Sequence, residues 1–260
     1  MPQKQPRSST INSGIAIVIV LVLLLAVVLA RPLLVTSGAS VGKPEHNSHP
    51  AGNTRVVEGI DVSHDQGEVN WSQVVGSGIQ FVYHKATDGI TWRDPMFDKN
   101  LQSLSALKVD IGAYHFFEAE DDPQKQAQNF LNTIKGKPLT LAPMVDVETT
   151  KNQTSGQIKQ RLKTWLEVVQ KATGCTPIIY SYKDFWQDNI DPQFNYYPFW
   201  LADYSATMDA PEGVENLIIW QYSETGQVPG IRGNVDRDRL LSGESGMTAL
   251  RCTHEGQKDD

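Results

Sequence analysis

The chain has 260 residues, of which 40% are hydrophobic and 20% are charged, and its formal net charge is −7. This composition is typical of a globular protein and excludes a wholly disordered chain. The acidic excess argues against nucleic acid as the main partner, because a nucleic-acid-binding surface needs basic charge. With only two cysteines, the chain has neither a disulfide-built scaffold nor a cysteine-rich zinc module.

An unbroken apolar segment lies near the N-terminus and reads IAIVIVLVLLLAVVLA over residues 15–30. As a helix this run extends roughly 24 Å at about 1.5 Å per residue, and its continuation to Val35 makes a membrane span plausible. We interpret residues 14–35 as a transmembrane signal-anchor. The alternative is a cleaved signal peptide with small residues over 37–39 at its cleavage site. In both cases the basic segment 1–13 stays cytoplasmic and the remainder of the chain is exported.

The exported part divides into three segments by composition. Residues 36–55 are rich in Ser, Gly, Pro, Asn and His without apolar periodicity, and they predict a flexible tether. Residues 56–242 carry recurring apolar segments and predict one barrel domain. Residues 243–260 are interpreted as a C-terminal tail.

Apolar, β-branched segments alternate with stretches of helical spacing through the barrel domain. Strands are predicted at 56–62, 79–85, 110–117, 141–148, 177–181, 198–203 and 217–222, with a short one near 234–236. Helices are predicted at 95–107, 123–135 and 155–173. Alternation of strands and helices predicts an α/β fold with a parallel sheet, and about eight strands favour a closed barrel. The connections after 177–181 look too short for regular helices, so we expect the last third to be rich in strands.

Carboxyl side chains stand at the predicted ends of four strands, where barrel enzymes carry their chemistry. Asp146 and Glu148 in PMVDVE are the most informative pair, because alternate residues of a strand point to the same face. Two close carboxyls do not both ionise easily, so one holds a proton near neutral pH. An acid beside an anion is the arrangement that cleavage of a glycosidic bond requires. Asp61 in GIDVS, Asp203 in WLADY and Asp236 in GNVD are expected at the same rim.

Aromatic residues near the same strand ends point to a saccharide ligand, because flat rings stack on sugar faces. Core packing is the alternative for each single ring. Lys85 ends the second predicted strand and is a candidate charge partner for the acids, or else an ordinary exposed lysine. The histidines lack the spacing of a catalytic zinc site, and no phosphate-binding loop or serine nucleophile motif occurs. Cys175 and Cys252 are able to form a disulfide in an oxidising compartment or to remain two separate thiols.

Seven segments in order resemble glycoside hydrolase family 25, the N-acetylmuramidase type of lysozyme. They are GIDVSHDQGEVNW, FVYHKATDG, GAYHFF, PMVDVE, IIYS, YPFWLADY and IIWQYSETGQVPGIRGNVDRD, and together they span roughly residues 57–241. The resemblance implies a modified TIM-like barrel, with five β/α units followed by three further strands. It also implies hydrolysis of the β-1,4 bond from N-acetylmuramic acid to N-acetylglucosamine in peptidoglycan.

Site roles follow from the resemblance by matching motifs. Glu148 is implied as the general acid/base and Asp146 as the second carboxylate, which either attacks the sugar or steadies a substrate N-acetyl group that attacks in its place. Asp61 and Asp236 match rim acids that orient this pair. The implied sugar-binding residues are Tyr83, Lys85, Tyr114, Tyr180, Trp200, Asp203 and Gln221.

The sequence thus predicts an exported, membrane-anchored muramidase whose catalytic domain is monomeric and uses no metal or cofactor. The expected partners are peptidoglycan strands and, through residues 14–35, a membrane. One rival is a chitinase-like hydrolase of N-acetylglucosamine polymers. The other is a non-catalytic glycan-binding protein on the same fold. An enzyme directed at another cell's wall, rather than a remodelling factor, is a further alternative.

Overall fold

The computed structural model describes residues 56–252, apart from the side chain of Glu244. The predicted cytoplasmic segment, signal-anchor and tether lie outside the described residues, as does the end of the predicted tail from residue 253. Among the residues that are described, no helix is long and apolar enough to cross a membrane.

Nine strands and six helices lie within residues 56–252. The strands are β1 Val57–Val62, β2 Phe81–Asp88, β3 Trp92–Arg93, β4 Asp110–Phe116, β5 Met144–Asp146, β6 Ile178–Tyr182, β7 Phe199–Ala202, β8 Leu217–Gly226 and β9 Val235–Leu240. The helices are α1 Trp71–Gly76, α2 Phe97–Ser105, α3 Pro123–Ile134, α4 Ser155–Thr173, α5 Lys183–Phe185 and α6 Gly243–Leu250. A 3-10 turn at His64–Gln66 and a π-helical turn at Trp186–Ile190 complete the described helical structure.

Eight of these strands close into a barrel. From β1 the sheet continues in parallel through β2, β4, β5, β6, β7 and β8. Strand β9 runs antiparallel between β8 and β1 and closes the ring. Among the described strands, β3 pairs only with the end of β2 and lies outside the ring. Five strand–helix units therefore precede β7, β8 and β9, which confirms the predicted modified barrel.

Helices pack on the outside of the barrel through apolar faces. In α4, the residues predicted from helical spacing are all buried: Ile158, Leu162, Trp165, Leu166 and Val169. The helix begins with a capping box in which Thr154 and Gln157 satisfy each other's backbone N–H groups. It ends at Gly174, whose φ of 74° is in the left-handed region that glycine adopts readily. The capping box and Gly174 thus set the first and last residues of α4.

The interior of the barrel is filled by large side chains, so it is a packed core and not a pore. Two glycines make room for these rings. A Cβ atom at Gly59 would collide with the Phe81 ring, and a Cβ atom at Gly112 would collide with the Tyr83 ring. Above this packed layer, polar side chains reach the rim at which the parallel strands end.

The opposite end of the barrel is covered by α6, in the segment that the sequence predicts as a tail. Met247 and Leu250 are buried with the interior cluster, and the Ala142 N–H donates to the Leu250 carbonyl at 2.9 Å. A disulfide joins Cys175, which follows α4, to Cys252, with Cα atoms 6.0 Å apart. The pairing that the sequence left open is therefore present, and it fastens the chain after α6 to the body of the barrel.

Candidate active site

An acidic cavity of about 140 Å³ lies at the rim of the barrel where the parallel strands end. It is lined by four of the five carboxyl residues that the sequence predicts at this rim, all except Asp203. The residues that line it are Asp61, Tyr114, Met144, Asp146, Glu148, Tyr180, Gln221 and Asp236. Strand geometry thus places side chains from β1, β4, β5, β6, β8 and β9 around one small volume.

The direction of β9 explains how Asp236 joins the other acids. Asp61 lies near the end of β1 and is the register partner of Asp236 near the start of β9. Because β9 runs against its neighbours, its first residues meet the last residues of the parallel strands. Asp146 is the last residue of β5, paired with Tyr180 on β6, and Glu148 follows two positions later.

The two central carboxyls both resist ionisation. Burial, and then the neighbouring Glu148, raise the pKa of Asp146 well above its ordinary value. Burial also raises the pKa of Glu148. The ammonium of Lys85 opposes the shift at both groups by lowering each pKa. A carboxyl that keeps its proton towards neutral pH is suited to act as a general acid.

The buried Oδ1 atom of Asp146 has no hydrogen-bond partner among the described residues. An unpaired buried oxygen costs roughly 1–3 kcal/mol, and a ligand that supplies a partner recovers that energy. This oxygen belongs to a residue that lines the cavity, so a bound substrate with an amide N–H or a hydroxyl group is able to satisfy it.

A hydrogen-bond chain fixes the position of Asp61. The hydroxyl groups of Tyr180 and Tyr204 both donate to Oε1 of Gln221, at 2.9 and 2.7 Å. The amide nitrogen of Gln221 then donates to Oδ2 of Asp61 at 2.7 Å. Because two hydroxyls occupy the Gln221 oxygen, its amide is held in the orientation that presents N–H to Asp61.

The remaining rim acid, Asp236, is also shifted towards its neutral form. Burial, and then the charges of Glu224 and Glu148, raise the pKa of Asp236 to about 6. The cavity is therefore able to hold more than one proton under mildly acidic conditions.

A wider groove of about 720 Å³ continues from the acidic cavity and shares Glu148 and Tyr180 with it. The rings of Tyr182 and Tyr204 are exposed along it. The other residues that line the groove are Lys183, Asp184, Ala202, Asp203, Ser205, Thr207, Asp209 and Glu224. An open channel with exposed rings beside paired carboxyls suits a long polar chain such as a glycan.

The family model that matches the chain decides its assignment. The model of the glycosyl hydrolases family 25 matches residues 60–231, which run from the second half of β1 through β8 and end before β9. The chain belongs to glycosyl hydrolases family 25.

Relatives of this family 25 chain agree with the assignment. YegX of Escherichia coli strain K12 is 36% identical over 185 residues, covering 69% of this chain and 68% of YegX. Lysozyme M1 of Streptomyces globisporus is 30% identical over 230 residues, covering 83% of this chain and 78% of that protein. The bacterial lysozyme from Streptomyces coelicolor has a TM-score of 0.70 at 30% identity, covering 76% of this chain and 98% of that chain. As a member of family 25, the chain is a glycoside hydrolase of the lysozyme type.

Two residues that the sequence assigned to sugar binding lie below the family 25 site and not in it. Tyr83 and Trp200 are completely buried, with ring centroids 5.0 Å apart in an edge-to-face arrangement. The Tyr83 hydroxyl donates to the Ala142 carbonyl at 3.0 Å. Neither lines the cavity or the groove, because each faces the interior of the barrel. Their position makes them support for the cavity floor.

Lys85 and Asp203 are at the site, but their charged groups are already engaged. Lys85 Nζ lies 3.0 Å from Asp88 and 4.6 Å from the centroid of the Phe116 ring. Asp203 lines the groove, but its carboxylate accepts from the N–H groups of Ser205 and Asp209 at 3.0 and 2.6 Å. Burial disfavours ionisation of Asp203, yet the hydrogen bonds outweigh it and lower its pKa. Asp203 thus shapes the loop that forms one wall of the groove.

Several residues at or next to the site are not predicted from the sequence. Asp238 follows Asp236 at the strand period, so alternation along VDRDR was the available signal. Tyr182 and Glu224 lie at the groove, and only their positions near strand ends pointed there. Tyr204, also at the groove, is one of the aromatic residues near strand ends from which the sequence predicts a saccharide ligand. Within residues 56–252, no cluster of three or more His, Cys, Asp or Glu side chains is arranged to hold a metal ion.

Proposed function

We propose that this enzyme cleaves the β-1,4 bond from N-acetylmuramic acid to N-acetylglucosamine in peptidoglycan. The observation that carries the proposal is the acidic cavity, in which Glu148 and Asp146 face one volume that opens into the groove. The name of the similar Lysozyme M1 agrees with this substrate class.

In the proposed reaction, protonated Glu148 donates its proton to the oxygen of the bond that breaks. Its raised pKa keeps that proton available, and its place in both the cavity and the groove puts it beside the bound chain. As the bond to the leaving sugar breaks, positive charge develops at the anomeric carbon and the ring oxygen. The ionised Glu148 then takes a proton from the water that completes hydrolysis.

Asp146 is proposed as the second carboxylate. One role is direct attack on the anomeric carbon, which gives a covalent glycosyl-enzyme. The other is to accept a hydrogen bond from the substrate acetamido N–H while the acetamido oxygen attacks. The unpartnered Oδ1 and the raised pKa of Asp146 favour the second role, because a poorly ionised carboxyl is a weak nucleophile. Mass spectrometry of rapidly quenched enzyme separates the two roles, since only direct attack leaves a sugar on Asp146.

The decisive experiment compares the full chain with its Glu148→Gln variant on purified peptidoglycan. The wild type should release reducing ends that carry N-acetylmuramic acid. The Gln variant should lose about 10²–10⁴-fold in kcat, the usual contribution of general acid catalysis. Equal activity of the two proteins would remove Glu148 from the mechanism.

The same assay separates the rival functions. Products that end in N-acetylglucosamine, or faster turnover of chitin, would favour the chitinase-like hydrolase. Binding to the wall without release of products would favour a glycan-binding protein. A control variant at Asp98, an exposed carboxylate paired with Lys137 at 2.7 Å, should leave turnover unchanged as Asp98→Asn.

We also propose that residues 14–35 anchor the enzyme in a membrane, with the barrel on the exported side and residues 1–13 in the cytoplasm. The support is the apolar run itself and the basic residues before it. Fractionation of cells that express the full chain should place it in the membrane fraction, resistant to high salt and released by detergent. Recovery of a shortened, soluble protein would show cleavage instead.

A further inference from the structure

Asp238 is a buried carboxylic acid that takes no part in the reaction steps proposed above. It lies on β9, in register with Gly59 on β1 and with Gln221 on β8. Its side chain is on the inner face of the barrel and is completely buried. Because Gly59 has no side chain, the Phe81 ring occupies the space beside it, and the next residue of β1 on the same face is Asp61.

Within residues 56–252, no positively charged side chain compensates Asp238. Its sequence neighbours Arg237 and Arg239 are directed to the outer face, where both bind Glu58 at 3.0 and 2.9 Å. The ionisable groups that act on Asp238 are Asp61 on β1 and Asp236 on its own strand, and both are acidic. The indole of Trp200 on β7 favours the charged form, but no N–H or hydroxyl group within the described part of the chain donates a hydrogen bond to either Asp238 oxygen.

The surroundings of Asp61 show which of the two carboxyls carries the proton. Asp61 already accepts the N–H of Gln221, whose orientation two tyrosine hydroxyls fix. A side-chain hydrogen bond between the carboxyl groups of Asp61 and Asp238 lowers the pKa of Asp61 and raises the pKa of Asp238, so the two groups are within reach of each other. Two carboxyl groups hydrogen-bond only when one of them is protonated, and an ionised Asp238 would be an unpaired buried charge. The proton therefore belongs on Asp238.

We propose that Asp238 is a positioning residue that stays protonated at neutral pH and donates its hydrogen to the carboxylate of Asp61. Asp61 then has two donors, Gln221 and Asp238, that stabilise its negative charge at the wall of the acidic cavity. The role of this charge in catalysis rests on the proposed function: it faces the volume in which positive charge develops on the sugar. The proton on Asp238 does not move during the reaction.

Protonation energetics agree with this arrangement. Burial, and then the charges of Asp61 and Asp236, raise the pKa of Asp238 well above its ordinary value. Burial, and then the charge of Asp236, also raise the pKa of Asp61 well above its ordinary value, and the hydrogen bonds from Gln221 and Asp238 reduce this rise without cancelling it. Loss of the Asp238 donor should therefore make Asp61 harder to ionise.

An infrared experiment on the full chain tests the protonation state without reference to activity. The difference spectrum between wild type and Asp238→Asn at pH 7 should show the loss of a carboxylic-acid C=O band. Asp98→Asn is the matched control and should show the loss of a carboxylate band, because Asp98 is exposed. Loss of a carboxylate band from Asp238→Asn would overturn the proposal.

Two variants then test the positioning role on peptidoglycan. The side chain in Asp238→Asn is neutral and still donates an N–H, so kcat/KM should fall on the acidic side at the same pH as in the wild type. Asp238→Leu removes the donor, and Asp61 loses a hydrogen bond to its charged form. The fall of kcat/KM on the acidic side should therefore move to a pH about one unit higher. An equal shift of the acidic side of the pH profile in both variants would refute the positioning role of Asp238. If the wild type has no activity on peptidoglycan, the proposed function fails, but the infrared experiment still shows whether Asp238 is protonated. The infrared experiment also decides this if Asp238→Leu does not fold.

Discussion

Replacement of both cysteines by serine should lower the stability of the barrel by several kcal/mol. The Cys175–Cys252 disulfide closes a loop with a sequence separation of 77 and holds the segment after α6 on the barrel floor. The loop includes β6, β7, β8 and β9, so the bond joins the beginning and the end of the last third of the fold.

The magnitude follows from the length of this loop. In the chain-entropy description, a cross-link across 77 residues restricts the unfolded chain by about 4.5 kcal/mol at 25 °C. Measured losses for native disulfides are typically about 2–5 kcal/mol, so we expect a loss in that range. For a domain of this size the midpoint of thermal unfolding should fall by roughly 5–15 °C.

Near-ultraviolet circular dichroism of the full chain in mild detergent is a suitable assay, because buried Trp165, Trp186 and Trp200 report on tertiary packing. The melting temperature is compared for wild type and for the Cys175→Ser/Cys252→Ser variant, each with and without reductant. Reductant should lower the wild-type midpoint towards that of the double variant and leave the double variant unchanged.

A difference below about 1 kcal/mol between oxidised and reduced wild type would refute this reasoning. Alkylation followed by mass spectrometry shows whether the two thiols are joined in the protein tested. A joined pair with no effect on stability would mean that the reduced unfolded chain is already restricted in the same way.

Three further predictions concern single side chains. Lys85→Met should move the whole pH profile of kcat/KM upward, because the Lys85 charge lowers the pKa of both Asp146 and Glu148; a fixed or downward-shifted profile would contradict this. Gln221→Leu should cost about 2–4 kcal/mol in urea unfolding, since it deprives two tyrosine hydroxyls of their acceptor and Asp61 of a donor; a loss under about 1 kcal/mol would count against the hydrogen-bond chain. His115 is buried against Trp165, and burial lowers its pKa to about 3. The stability it supports is complete above about pH 6.5 and should fall by about 1.4 kcal/mol per pH unit as the pH drops towards 3. Urea unfolding at several pH values should show a shallower dependence for His115→Gln, and identical slopes would show that another group is responsible.

Much of the barrel could be predicted from the sequence, because its strands are strongly patterned. The eight predicted strands all occur, with ends that shift by a few residues; β8, for example, continues to Gly226 beyond the predicted end. Helix α1 was not predicted, since WSQVVG is too short to show a helical period. Helix α6 was not predicted because GESGMTAL has a weak pattern and depends on contacts with the barrel floor.

The four rim acids could be predicted for a similar reason. Strand alternation and the end of each strand are local properties, and they place Asp61, Asp146, Glu148 and Asp236 without knowledge of the packing. Whether a ring faces substrate or core is a property of the closed barrel. Tyr83 and Trp200 look the same in sequence as Tyr114 and Tyr180, yet they are completely buried and do not line the cavity.

The described chain enters and leaves the barrel at the same end. Val57 starts β1 there, and Cys252, whose N–H donates to the Thr140 carbonyl at 2.8 Å, ends the described residues there. The groove opens at the other end. A fluorescent reporter, an affinity handle or a solid support joined next to either residue would thus sit on the far side from incoming glycan, which makes immobilised preparations practical for turnover measurements.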